Sequence, residues 1–290
     1  MIVNDIKASF QKGSMLTRLI YINLFLFVAI EVIKVVLFLF NLTSVNINDF
    51  IGLPAHFQTL LYKPWTILTY MFVHNGFIHL IVNILWLFFG GRIFLKYLSH
   101  KQLVSTYVLG GLVGGMFFIL SYNFFPVFEP SLPVSVALGS SASVLAILVG
   151  IASYVPNYHV DLTFIGRVKL KYIAILTVVL DLILIPKGNS GGHIAHLGGA
   201  FYGYFFASQL KRGNDFSKGF DSFMDWLVSQ FNNEPTMKTV YKRPKTDDQW
   251  RESKAQQQND INLILDKIAK SGYDSLNKKE KDTLFKESKK

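Results

Sequence analysis

Six apolar runs, near residues 17–40, 77–96, 103–123, 141–156, 170–186 and 192–210, constrain this chain more than any other feature in it. A helix needs roughly 20 apolar residues to cross the hydrocarbon core of a bilayer. Each run therefore reads as a membrane helix, and the expected fold class is all-α: a polytopic membrane protein with a six-transmembrane-helix bundle. The fourth run is the shortest, so its helix must end inside protein or beside water rather than in lipid, a first sign of a cavity. The first run lies between Arg18 and Asn41 and is too long and too rich in Phe for a cleaved signal peptide, so it is expected to be retained. With 26 Phe and 13 Tyr, 51% hydrophobic and only 17% charged residues, the chain suits surfaces that meet lipid.

A net charge of +10 would suit a nucleic-acid binder, but its distribution argues against one. Residues 1–210 carry 12 Lys and Arg against 6 Asp and Glu, and residues 211–290 carry 17 against 13. Lys7, Lys12 and Arg18 precede the first run, Arg92, Lys96 and Lys101 surround the second connection, and Arg167, Lys169 and Lys171 the fourth. The alternate connections are poor in basic residues, which puts both termini in the cytoplasm. The expected organisation is a cytoplasmic segment 1–16, a membrane domain 17–210 and a soluble cytoplasmic tail 211–290 with short amphipathic helices. In that tail, Phe216, Phe220, Phe223, Trp226, Leu227 and Phe231 fall at helical intervals, and Ile261–Ile268 forms a second amphipathic stretch. A protein partner for the tail, a membrane-surface anchor and a plain solvated extension all fit it. With no Cys in the chain, a disulfide framework, a thiolate metal site and a cysteine nucleophile are all ruled out.

Polar side chains inside a membrane are expensive and point to function by default. The second run opens with His74 and carries His79 and Asn83 at i and i+4 on one helix face. The fourth opens with Gly139, Ser140, Ser141, Ala142 and Ser143. The sixth opens with Gly192 and His193, followed by Ala195, His196, Gly199 and Gly203. All three groups stand at the starts of even-numbered runs, so topological parity brings them to one depth. Singly, each is ordinary, since a His near a helix start is usually a capping residue and a Ser among Ala and Gly usually packs. Together they supply a hydroxyl nucleophile, an imidazole base and donors for a tetrahedral oxyanion, the parts of acyl transfer. Gly199 and Gly203 permit close approach of two helices, which would bring His196 within hydrogen-bond reach of Ser141. By residue type alone, His193 is as eligible as His196.

Over roughly residues 60–210 the chain resembles the rhomboid family of intramembrane serine proteases, in its bacterial six-span form. The family's H-x-x-x-N motif reads here as His79 to Asn83, its G-x-S-[GA] motif as Gly139 to Ala142, and its A-H-x-x-G-x-x-x-G motif as Ala195 to Gly203. The resemblance implies that Ser141 is the nucleophile and His196 its base. It also implies that His79, Asn83 and the Ser141 backbone N–H form the oxyanion hole, with Gly139, Gly199 and Gly203 as packing glycines. The motif register leaves Ser140 and Ser143 out and sets His193, with His74, in a supporting position. Two departures stand out: Trp65 is followed by Thr66 where relatives often have Arg, and Leu95 stands where an acidic residue is common.

No Asp or Glu is expected to complete a triad. Glu31 and Lys34 read as residues that neutralise each other or snorkel, and Asp181 as a residue bonding a neighbouring helix, so a Ser-His dyad is expected. No cofactor and no metal are expected. The substrates implied are transmembrane proteins cleaved in or near their membrane segments, within the lipid bilayer of the inner (plasma) membrane. A polar cavity open to the outer side is expected, lined by His74, His79 and His193, with span five or residues 187–191 as its gate. Two rivals stand: a catalytically inactive rhomboid-like factor that binds membrane proteins, and a small-molecule transporter, whose inverted repeat is not visible.

Overall fold

The computed structural model describes residues 7, 9–42, 46–163, 165–231 and 247–287. Residues 1–6 of the expected N-terminal segment and 232–246 of the expected tail lie outside them. The chain divides into two compact units, Met1–Asn232 and Asn233–Lys290.

The first unit is built on α1 (Met15–Leu39), α2 (Phe77–Tyr97), α3 (His100–Phe124), α4 (Ser141–Tyr154), α5 (Leu170–Leu184) and α6 (Ser190–Lys211). Of these, α1, α2 and α3 are long and apolar enough to cross a membrane, and α4 is a shorter apolar helix of 14 residues. The Ser99 side chain accepts from Gln102 N–H while Gln102 reaches back to Ser99 N–H, a capping box that starts α3. Within α1, Lys34 pairs with Glu31 at 2.7 Å, so the two charges neutralise each other one turn apart.

Glycines set how closely the helices pack. A Cβ on Gly199 would run into the Ala142 carbonyl, and one on Gly203 into the Ala146 carbonyl, so α6 lies backbone to backbone on α4. On α3, Gly110 faces Ala146, and Gly114 faces Ala142 and the Ala195 carbonyl. Helix α4 is buried along almost its whole length because α2, α3 and α6 surround it. One buried polar cluster ties α1 and α3 to the segment before α2: the fully buried Tyr107 hydroxyl meets Asn23 of α1 and donates to the Met71 carbonyl at 3.1 Å.

Two small antiparallel sheets qualify the all-α expectation. Strand β1 (Leu53–Pro54) pairs with β2 (Val136–Ala137), tying the long connection after α1 to the segment that leads into α4. Strands β3 (His159–Leu162) and β4 (Gly166–Lys169) form a hairpin between α4 and α5. Strands of two to four residues carry no periodicity that a sequence pattern can reveal. The connection after α1 is further held by Trp65 Nε1–H donating to the Phe50 carbonyl at 2.8 Å, Lys63 to Asp49 and Thr69 to Ile51. These bonds hold the loop that contains Thr66.

Helix α7 (Ser217–Phe231) also belongs to the first unit. Asp215 starts it by accepting from Ser217 N–H, and its other oxygen accepts from Gln102 at the head of α3. Lys101 pairs with Asp225 at 2.9 Å. Phe223 and Trp226 remain more than half exposed, so α7 keeps a bare apolar face.

The second unit holds α8 (Asp247–Ser271) and α9 (Lys278–Glu287), with a turn at Gly272 between them. Ile264 and Leu276 are its buried apolar residues among those described. Asn277 caps Glu280 N–H while Glu280 accepts from Asn277 N–H, a reciprocal cap. That bond, helped by Lys267, holds the Glu280 carboxyl below the usual carboxylate range.

Candidate active site

The polar residues of the three helix starts converge at one end of the bundle. Gly139 has φ +129°, a conformation that L side chains rarely adopt, and its N–H donates to the Tyr70 carbonyl at 3.0 Å. A Cβ there would lie 2.8 Å from His79 Cε1 and 3.4 Å from Ser141 Oγ, so glycine is what lets the imidazole and the hydroxyl approach this stretch of backbone. Ser141 is the first residue of α4, where backbone N–H groups have no partner within the helix and point outward with the positive end of the helix dipole.

Ser141 and His79 both line two cavities. One, of about 540 Å³, is walled by Tyr70, Asn75, Ser135 to Gly139, Ser141, Ala142 and, from α6, Gly191, Gly192 and Ala195. The other, of about 330 Å³, brings together His79, Asn83, Ser141, Asp181 and His196, with Trp86 and Leu180 among its apolar walls. Beyond it, a gap of about 510 Å³ between α2 and α5 is lined by Leu85, Trp86, Phe89, Ile173 and Leu176.

Within this frame His74 is 1% exposed and its Nε2 lies 3.0 Å from Ser140 Oγ, so it braces the entry to α4 and lines neither cavity. Its ring sits edge-on to that of His79, 5.4 Å between centroids. Asn83 is buried and donates one amide hydrogen to the His79 carbonyl at 2.8 Å, which leaves the second hydrogen for another acceptor. His193 is also absent from the walls of both cavities, because its ring turns toward α5. The expectation that His74 and His193 line the cavity is thus corrected.

Two further expectations change. Ser141 and His196 share the wall of the 330 Å³ cavity, but among the described residues no hydrogen bond joins them. Such bonds are often long in a site without substrate. The expectation that no acid is available is overturned by Asp181 of α5. Its Oδ1 lies 2.8 Å from Nδ1 of His196 and 2.8 Å from Nδ1 of His193, with all three side chains largely buried. No short-range pattern links Asp181 to residues 12 and 15 positions later on another helix. The one signal in the sequence was a lone carboxylate in an apolar helix. These three side chains are also the described cluster whose spacing suits a metal ion, with ligand atoms within 4.8 Å of one another. The two imidazole bonds to one carboxylate oxygen account for that convergence without an ion.

Chemically, the arrangement offers a hydroxyl at a helix N-terminus, an imidazole backed by a carboxylate, and an imidazole and an amide beside the hydroxyl. Comparison with known proteins bears on it directly. A model of the rhomboid domain matches residues 62–212, just over half of the chain, and a family of unknown function (DUF6576) matches residues 245–290. The chain is also similar to RHOMBOID-like protein 12, mitochondrial, of Arabidopsis thaliana, with 25% identity over 157 residues, 51% of this chain and 47% of that protein. It thus spans about half the length of the curated relative it matches.

Proposed function

This chain belongs to the rhomboid family, and from that premise we propose that it is an intramembrane serine endopeptidase hydrolysing peptide bonds in or near transmembrane segments. The observation that carries the reading is the one cavity wall shared by Ser141, His79, Asn83 and His196. Ser141 Oγ attacks the scissile carbonyl carbon as its proton passes to His196. The developing oxyanion is met by His79, by the free amide hydrogen of Asn83 and by the Ser141 backbone N–H. His196 then returns the proton to the leaving amine, and water hydrolyses the acyl-enzyme by the same route.

In this reading α4, α5 and α6 also cross the membrane, which makes six spans, with residues 1–16 and 211–290 on the cytoplasmic side of the inner membrane. Substrates are transmembrane proteins with small or helix-breaking residues near the outer face, since a scissile bond must leave its helix before it can be attacked. The exposed apolar face of α7 suits the membrane surface, and the unit from Asn233 onward is a candidate partner-binding module.

The test is cleavage of a transmembrane reporter in liposomes. The full chain should give one defined cut and Ser141→Ala none, whereas equal cleavage by the variant would refute the reading.

In this reading α5 is the gate, and a substrate helix enters from lipid through the gap between α2 and α5. The native chain has no Cys, so Leu85→Cys and Leu176→Cys, on opposite walls of that gap, can be joined by a reducible linker. Linkage should slow reporter cleavage at least about tenfold, reversibly on reduction, while a small fluorophosphonate still labels Ser141. Full cleavage by the linked protein would remove α5 as the gate.

A further inference from the structure

Asp181 is a carboxylate on a helix whose other residues, apart from Lys171, Tyr172 and Thr177, are apolar. It is 8% exposed. A charge so placed is costly unless it is paired, and its partners are two imidazoles on α6 that meet it through the same oxygen. An ionised carboxylate only accepts hydrogen bonds, and a neutral imidazole carries one N–H. Two contacts of 2.8 Å from Nδ1 therefore place a proton on Nδ1 of both rings, and in a neutral ring Nε2 is then bare. For His196 the bare Nε2 is the atom that takes the proton of Ser141.

We propose that Asp181 is the positioning residue of the base: it fixes His196 in the Nδ1–H tautomer, with Nε2 free for Ser141, and His193 braces the carboxylate by occupying the same oxygen. The proposal rests on the reading of Ser141 as nucleophile and His196 as base. The groups around His196 are His79 from α2, Ser141 from α4, Asp181 from α5 and His193 from α6, with His74 edge-on behind His79. Of these, Asp181 alone carries a negative charge. It stabilises the imidazolium that forms when the Oγ–C bond is made and the Ser141 proton moves to Nε2. That proton leaves with the amine as the C–N bond breaks, and Asp181 stays ionised throughout.

His193 stands one turn before His196, with ring centroids 5.9 Å apart and the rings edge-on. It occupies a second lone pair of Oδ1 and so keeps the carboxylate from turning away from His196. One further consequence concerns the gate. The residue that orients the base is carried by α5, so displacement of the outer part of α5 from α6 would take the carboxylate with it. Substrate entry and orientation of the base are thereby linked through one side chain.

The test uses the full chain in lipid. In Asp181→Asn the amide can donate to Nδ1, which favours the wrong tautomer. The variant should lose about 10²-fold or more in kcat with KM within about threefold of wild type, a split that points to chemistry rather than binding. Asp181→Glu should recover part of the loss. Nitrogen-15 histidine spectra, with the His196 signals assigned by His196→Gln, should show Nδ1 protonated and Nε2 bare in the wild type, and the reverse in Asp181→Asn. If Asp181→Asn does not fold, the wild-type spectrum decides alone. A proton on Nε2 of resting His196, or cleavage by Asp181→Asn within about threefold of wild type, would overturn the proposal. Failure of the underlying reading looks different, because Ser141→Ala would then cleave as well as the wild type.

Discussion

His196→Ala should lower turnover of a transmembrane reporter by about 10⁴-fold or more, to the background of Ser141→Ala, whereas His193→Ala should lose less than about tenfold. The two residues lie three positions apart on α6, both within 2.8 Å of Asp181. Residue type, helix face and hydrogen-bond partner fail to separate them. Their surroundings do: His196 shares a cavity wall with Ser141, His79 and Asn83, and His193 does not. Removing His196 takes away the acceptor for the Ser141 proton, and nucleophile and base act as one unit, so the second deletion adds little to the first. Removing His193 leaves Asp181 with its bond to His196 and costs only the bracing. Equal losses in the two variants, measured as initial rates at matched protein levels in liposomes, would contradict this assignment.

The second large effect is structural. Gly199→Leu should remove the folded first unit, with a cost of at least about 3 kcal/mol, because the added Cβ meets the Ala142 backbone carbonyl rather than a flexible side chain. The α4–α6 contact would have to open, and the cavity that holds Ser141 and His196 would open with it. Gly219→Ala on α7 should act in the opposite sense and stabilise by about 0.5 kcal/mol, since a Cβ there has open space and the helix gains propensity. Thermal unfolding in detergent distinguishes the two. A Gly199→Leu protein that melts with the wild type would mean that α6 does not press on α4 as described.

How much of this was legible in the sequence differs by length scale. The apolar runs mark α1 to α6 to within about three residues at each end, because hydrophobic periodicity is strongest in long helices and weakest at their termini. The short fourth run is a 14-residue helix surrounded by its neighbours, as its length required. Which helices would touch was partly readable, since small residues at 199 and 203 announce a close contact. The pairing of β1 with β2 was not, because it joins residues more than 80 positions apart through two-residue strands.

At the site, local spacing placed His79 and Asn83 on one helix face, and motif register singled out Ser141. It could not show that His74 turns to Ser140, or that Asn83 donates to the His79 carbonyl. Nor could it show what Asp181 faces. That carboxylate was visible as an oddity in an apolar helix, but the rotation of α5 against α6 that aims it at two imidazoles is a tertiary fact.

The most direct measurement is mass-spectrometric mapping of a fluorophosphonate adduct on the full chain in lipid, for the wild type and for His196→Ala. The expected result is a single adduct, on Ser141, in the wild type and at most a trace of it in the variant, because the hydroxyl is activated by that imidazole. An adduct on another serine, or labelling of Ser141 at the same rate without His196, would contradict the assignment of this cavity as the active site.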